Sequence, residues 1–427
     1  MTGSPSWNVS VLDNTSSNAL YTLNGSFASS GSVDSIRNLN APSGFTGAGY
    51  GDPRVAAPFA ILDPMYESIQ SIISAAPATN FPLLQVFWSV NNRAASGDIT
   101  AGEIGTSSFT RINNVPTVLI LGNEDNDTDE YDIHVVTHEY GHYLEDQLSR
   151  SDSIGGAHSL NDRLDPRVAF SEGFGNAFAG LILNDSIYRD SSGPVQSQGF
   201  SFNVESNTIG QQGWFSESSV QSIFFDIGDS NNDGADNISA GFDTIYNVLS
   251  SPAYIDSIAP FTIFNFAEFL RNSGTVNNAD LDGLLAVQNI NGTGIFGDGE
   301  TNNGGIAGSL PVVKTVTIGG GALNFCSVDD AGDFNNLGNR HLIRLNVPST
   351  QSLTFTMTRT SGPTGRDPDF LIYQAGQLVG FGGSAAVDSE VFTGTFPADD
   401  YWLEAYDFFN IDDSGPTGDV CFDFTVN

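Results

Sequence analysis

Three of the five histidines in this 427-residue chain fall within nine positions, in the run His134-Val135-Val136-Thr137-His138-Glu139-Tyr140-Gly141-His142. The last five residues have the form HExxH. On a helix, residues four apart lie on one face, so the imidazoles of His138 and His142 can reach a single metal ion at ~2.0–2.1 Å. Glu139 projects to one side, where its carboxylate can touch a metal-held water without ligating the metal. With five His and thirteen Glu in the chain, chance alone supplies about 0.002 such motifs. A catalytic zinc needs a third protein ligand and one open position. The spacing His142-x-x-Gly-x-x-His is absent, because Glu145 and Leu148 occupy those two places. The segment Ser171-Glu172-Gly173-Phe174-Gly175-Asn176 begins about thirty residues further on. In it Glu172 can be the third ligand, Gly173 and Gly175 permit two helices to approach closely, and Asn176 can orient a ligand imidazole. His134, one turn before His138, reads either as a group behind the ligands or facing substrate, or as a partly exposed first-turn histidine.

Two helices must carry these groups. Residues 115–121 read as a strand that ends in an acidic loop, and Asp127 or Thr128 can cap the helix that follows, with Ile133, Val136, Tyr140, Leu144 and Leu148 on one face. Asp165-Pro166 opens the second helix, which runs through Phe170, Phe174 and Phe178 toward Leu183. Further helices are expected over residues 56–73, 214–227, 261–271 and 279–288, and a buried strand over 83–90. The expected architecture is an α+β zincin-like catalytic domain over residues 41–291, with a β extension of residues 1–40 packed on it. A Gly/Asn-rich linker follows over 292–311, and then an all-β sandwich domain over 312–427, where short alternating strands succeed one another.

HExxH on one helix with a glutamate on the next resembles the gluzincin metallopeptidases. Glu172-Gly173-Phe174 is similar to the ligand segment of aminopeptidase-like gluzincins, and the order strand, acidic loop, Asp132-Ile133-His134 resembles the strand and active-site helix of the thermolysin family. The resemblance spans residues 55–290 and is specific over 115–183. It implies zinc held by His138, His142 and Glu172, and Glu139 as general base toward a metal-activated water. There are two departures. Asn176 stands where the thermolysin family has an aspartate, and Trp214-Phe215-Ser216-Glu217-Ser218 lacks the tyrosine of the aminopeptidase-like pattern. The residue that meets the developing oxyanion is therefore left open among His158, Glu217, Tyr246 and Tyr254. The C-terminal block, with Asp367 to Tyr373 and Ala398 to Tyr406, resembles the bacterial pre-peptidase C-terminal domain, a module appended to secreted peptidases. The resemblance implies a secreted bacterial zinc peptidase acting on peptide or protein. Two other readings stay open: a zincin fold that binds or adheres without turnover, and a zinc hydrolase of non-peptide amides or esters.

Fourteen basic against fifty acidic residues give a formal charge of −36, which excludes nucleic-acid binding by phosphate neutralisation. Such a surface suits a saline or calcium-containing extracellular setting, where ions screen its self-repulsion. No apolar run is long enough to span a membrane. The first residues lack the features of a signal peptide, so an export signal would lie outside this chain. Calcium is a second expected cofactor. Asp229-Ser230-Asn231-Asn232-Asp233-Gly234 opens like a calcium loop, though Ala240 stands at its twelfth position instead of a glutamate, and residues 124–132 are equally rich in oxygens. Cys326 and Cys421, at the two ends of the β block, suit one bridge. It would close a loop of ~95 residues, worth up to ~4–5 kcal/mol in the chain-entropy model; two buried thiols are the other reading. A monomer is expected, with His341 structural.

Overall fold

The computed structural model describes residues 2–3, 6–26, 29, 31–34, 36, 38–232, 234, 236–329, 334–412 and 418–427. These form a mixed α and β chain with several sheets, in two compact units, residues 1–148 with 178–203 and residues 149–177 with 204–427.

The first unit contains β1 (Thr2–Gly3), β2 (Trp7–Asp13), β3 (Ala19–Leu20), α1 (Ala57–Ala75), β4 (Leu84–Trp88), β5 (Ser108–Ile112), β6 (Val115–Ile120) and α2 (Ile133–Leu148). It also takes α3 (Pro166–Leu183) from Phe178 onward, with β7 (Ile187–Ser192) and β8 (Gln198–Asn203). Its main sheet runs β1-β2-β4-β6-β5, with β3 on β2; β2, β4 and β6 are mutually parallel and β5 is antiparallel to β6. β4 is buried at Leu84, Val86, Phe87 and Trp88, the near-continuous apolar text of a strand covered on both faces. β2 is inside this sheet, parallel to β4, and buries Trp7, Val9 and Val11 in alternation. α1 turns Ile61, Met65, Ile69 and Ile72 inward at helical spacing and packs on α2.

α2 begins later than its acidic loop suggests. Thr128 makes no side-chain cap, Asp129–Tyr131 form a short 3-10 turn, and the α-helical ladder opens with Val136 N–H donating to the Asp132 carbonyl at 3.1 Å. The Asp132 carboxylate is engaged elsewhere, accepting from the backbone N–H and hydroxyl of Ser191 in β7 at 3.1 and 2.7 Å. Ile133, expected on the buried face, is 44% exposed, and Tyr143 is buried in its place with its hydroxyl donating to the Pro82 carbonyl at 2.6 Å.

The second unit contains the start of α3, then α4 (Glu217–Gly228), α5 (Phe242–Leu249), α6 (Pro252–Ile255), α7 (Ile263–Ser273) and α8 (Asn278–Val287). Every residue from 164 to 180 is buried, as befits a helix that is apolar almost all round. α4 starts at Glu217, capped by Ser216, whereas Trp214 lies ahead of it with its indole N–H donating to the Asn302 carbonyl at 2.8 Å. The Gly/Asn-rich stretch is pinned: the buried Glu300 carboxylate accepts the backbone N–H groups of Asn291, Gly292, Thr301 and Asn302.

The β-rich C-terminal region holds β9 (Val313–Thr315), β10 (Leu323–Ser327), β11 (Arg340–Val347), β12 (Gln351–Ser361), β13 (Pro368–Gln374), β14 (Gln377–Gly382), β15 (Ser389–Phe396), β16 (Asp399–Asp407), the one-turn α9 (Phe409–Asp412) and β17 (Val420–Val426). Two sheets, β10-β17-β12-β15 and β14-β13-β16-β11-β9, share one apolar core that includes Phe355, Phe370, Leu403 and Phe424. Cys326 and Cys421 are bonded and sit directly opposite each other in the β10–β17 ladder, so the bridge ties the second and last strands of the region. His341 is buried beneath it, its Nε2 2.8 Å from the Cys326 carbonyl oxygen.

At the entry to α3 lies a buried charge network. Asp165 caps the helix by accepting the Arg167 backbone N–H at 3.0 Å and also takes the Arg167 guanidinium, which in turn reaches Glu404 of β16. Arg340 of β11 holds the other oxygen of Glu404. Arg167, Asp165 and Glu404 are each no more than 2% exposed.

Candidate metal centre

α2 sets His138 and His142 one turn apart on one face, with their Nε2 atoms 3.0 Å from each other and the ring planes at 80°. Glu145, the residue that breaks the longer histidine spacing, has a use here: its Oε2 lies 3.2 Å from His142 Nδ1. A carboxylate there accepts a hydrogen bond from Nδ1–H, which makes Nε2 the nitrogen that can ligate a metal. Glu139 is 6% exposed, and its Oε2 is buried without a hydrogen-bond partner. A bare carboxylate oxygen in such surroundings calls for a proton, a water or a cation.

His134 is buried, not partly exposed. Burial lowers its pKa, its Nε2 lies 3.4 Å from the Asp185 carbonyl oxygen, and its ring rests 5.3 Å from that of Tyr188 in β7. Tyr188 also stands edge-on to His138, at 6.3 Å.

Glu172 occupies the second turn of α3. A side chain at Gly173 would collide with Val220 and with the Glu217 carbonyl oxygen, contacts of 2.6 and 2.7 Å, so α4 can lie against α3 only because that residue is glycine. Glu217, at the start of α4, and Glu172 hold His158 between them: Nδ1 is 2.8 Å from Glu217 Oε2 and Nε2 is 3.1 Å from Glu172 Oε2. Burial opposes the charge on His158, but the two facing carboxylates outweigh it and push its pKa up to about 11. The imidazole thus donates from both nitrogens. Asn176 donates its amide N–H to Gln221 Oε1 at 3.1 Å.

His138 and His142 belong to the first compact unit and Glu172 to the second. Of the four candidates for the oxyanion, His158 and Glu217 stand beside Glu172, whereas Tyr246 and Tyr254 are core residues. Tyr254 packs 4.0 Å from Phe261, and Tyr246 lies 6.1 Å from Phe242 in α5. In the expected calcium loop, Asp229 closes a turn by accepting the Asn231 backbone N–H at 3.4 Å, and Asp233 lies outside the described residues. No group of three ligating His, Cys, Asp or Glu gathers there among the described residues. Sequence reasoning missed Glu145 as a partner of His142, and the only available signal was its position three residues on, where a helix brings side chains together.

A family model, the Mycolysin C-terminal domain, matches residues 116–258. The matched stretch runs from β6 through both candidate ligand helices to the end of α6, less than half of the chain. No curated protein matches. Among solved structures, the chain is similar to the pre-peptidase C-terminal domain of a collagenase from Bacillus anthracis, with 11% identity, a TM-score of 0.20, and coverage of 27% of this chain and 94% of that one. It is also similar to PliG of Aeromonas hydrophila, a periplasmic inhibitor of g-type lysozyme, with 14% identity, a TM-score of 0.17, and coverage of 27% and 97%. Similarity at those TM-scores carries no structural argument. Among the described residues no helix is long and apolar enough to cross a membrane.

Proposed function

We propose that this chain is a secreted zinc-dependent peptidase of gluzincin type, with His138, His142 and Glu172 as metal ligands and Glu139 as general base. The observation that carries the reading is the pair of imidazoles on one face of α2, with Nε2 atoms 3.0 Å apart, on the same helix as the partnerless Oε2 of Glu139; Glu172 joins them as the third ligand through the resemblance of its segment. Three such ligands suit catalytic zinc, which keeps a further position open. Zinc in this setting supplies Lewis acidity, polarising a carbonyl and drawing the pKa of water from 15.7 toward ~7. The chain's own residues supply the rest. Glu139 takes the proton of the attacking water and passes it to the leaving amine nitrogen as the C–N bond breaks. Glu145 fixes the tautomer and orientation of His142. His158, held between Glu172 and Glu217 with both N–H groups engaged, would act on negative charge developing on the carbonyl oxygen through its own positive charge, and of the four candidates it is the cationic one beside Glu172. The match of residues 116–258 to a domain named for a peptidase supports the same reading, and the acidic surface and the disulfide support secretion.

Metal analysis combined with casein hydrolysis tests it. The purified protein should carry about one zinc per chain, lose turnover to a chelator, and regain it on zinc addition. Zinc without any turnover would instead mark a binding protein, and turnover confined to small esters or amides a non-peptide hydrolase.

A further inference from the structure

The acidic loop ahead of α2 does more than lead into the helix. Asp127, Asp129 and Asp132 meet Asp190, which arrives from β7, and one oxygen of each carboxylate lies within 4.8 Å of the others. Three of the four have an oxygen tied down by a donor: Thr128 N–H at 2.9 Å for Asp127, the Ser107 hydroxyl for Asp129, and the N–H and hydroxyl of Ser191 for Asp132. These bonds orient the carboxylates. Asp129 is 3% exposed, and its Oδ1 has no hydrogen-bond partner; Asp190 Oδ1 is likewise buried without one. No Arg, Lys or His forms an ion pair with any of the four among the described residues.

We propose that Asp127, Asp129, Asp132 and Asp190 form a structural binding site for a calcium ion that fastens the entry of α2 to β7. Burial penalises the charge of these carboxylates, and their closeness adds mutual repulsion, so Asp190 is pushed up to about 7 and Asp132 to about 6. A divalent cation removes both penalties. The donors are all oxygen, which suits a hard cation and offers zinc neither nitrogen nor sulfur. Calcium fits better than magnesium, because it takes six to eight oxygens in a flexible arrangement while magnesium holds on to its water. The ion would hold β7, and with it Tyr188, against the turn of α2 that carries His134 and His138. The site lies outside the zinc ligands, and the inference does not depend on zinc.

Calorimetric titration of the intact chain with calcium chloride tests it, with Asp129→Asn, Asp190→Asn and the control Asp229→Asn alongside. The parent should bind calcium saturably, each of the first two variants at least about tenfold more weakly, and the control like the parent. The expected signature in melting is a crossover. In chelator the two variants should melt no lower than the parent, since each relieves repulsion, whereas added calcium should raise the parent's melting temperature and not theirs. No saturable binding, unchanged affinity in both variants, or equal weakening by Asp229→Asn would overturn the site. The parent alone provides a second test: a melting rise with calcium no larger than with magnesium or sodium chloride at matched ionic strength would mean that the carboxylates are held by shared protons.

Discussion

Glu139→Gln should keep its metal and lose most of its turnover. Glutamine has nearly the same shape but cannot take a proton, so the two imidazoles and Glu172 are left undisturbed. Loss of a general base costs ~10²–10⁴-fold, and more when that group also positions the nucleophile. The check is kcat on a peptide substrate together with metal content, measured on the same preparation. Peptide hydrolysis at the parent's rate would mean that the water is activated by some other group.

Glu404→Ala should be among the most destabilising single changes in the protein. Glu404 is 1% exposed and faces the guanidinium groups of Arg167 and Arg340. Removing it leaves the buried Arg167 and the half-buried Arg340 short of a partner, and breaking a buried pair from one side costs ~3–5 kcal/mol. The same principle supplies a control: Arg167→Met combined with Glu404→Leu removes charge from both sides and should recover much of that loss. Urea denaturation of the single and double variants measures both. The network sits at the first turn of α3, only five residues before Glu172, so the single variant should also loosen the ligand helix. A change below about 1 kcal/mol, typical of an exposed pair, would show that the network is solvated and that the β strands do not secure that helix.

Much of the candidate site could be read from the sequence because its chemistry is local. Two imidazoles on one ion need a fixed helical spacing, and His138 and His142 have it; Glu172 follows from the next helix. The partners that come from tertiary folding could not be read in this way. His158 meets Glu217 across 59 residues, and Asp190 lies 58 residues beyond Asp132, so no local pattern announces either encounter. β7, Ile187-Tyr188-Arg189-Asp190-Ser191-Ser192, was illegible as a strand because only its first two residues are large and apolar. It pairs with β8 across the chain, with Tyr188 stacked on Phe202 at 4.8 Å. The start of α2 was misplaced because Asp127 and Thr128 have the chemistry of a cap, yet Asp127 holds the backbone N–H of Thr128 in the loop. The C-terminal strands were legible for the opposite reason. β17 alternates buried and half-buried residues throughout, and that period survives whatever the rest of the fold does.

The central claim is that Glu172 completes a zinc site begun by His138 and His142, and zinc affinity of the parent and Glu172→Ala, by competition with a chromogenic chelator, tests it most directly. Removing one anionic ligand should weaken binding by at least about tenfold, with the fold retained by circular dichroism and turnover partly restored by excess zinc. If Glu172→Ala holds zinc as tightly as the parent, Glu172 is only the partner of His158, and the metal's third ligand lies elsewhere.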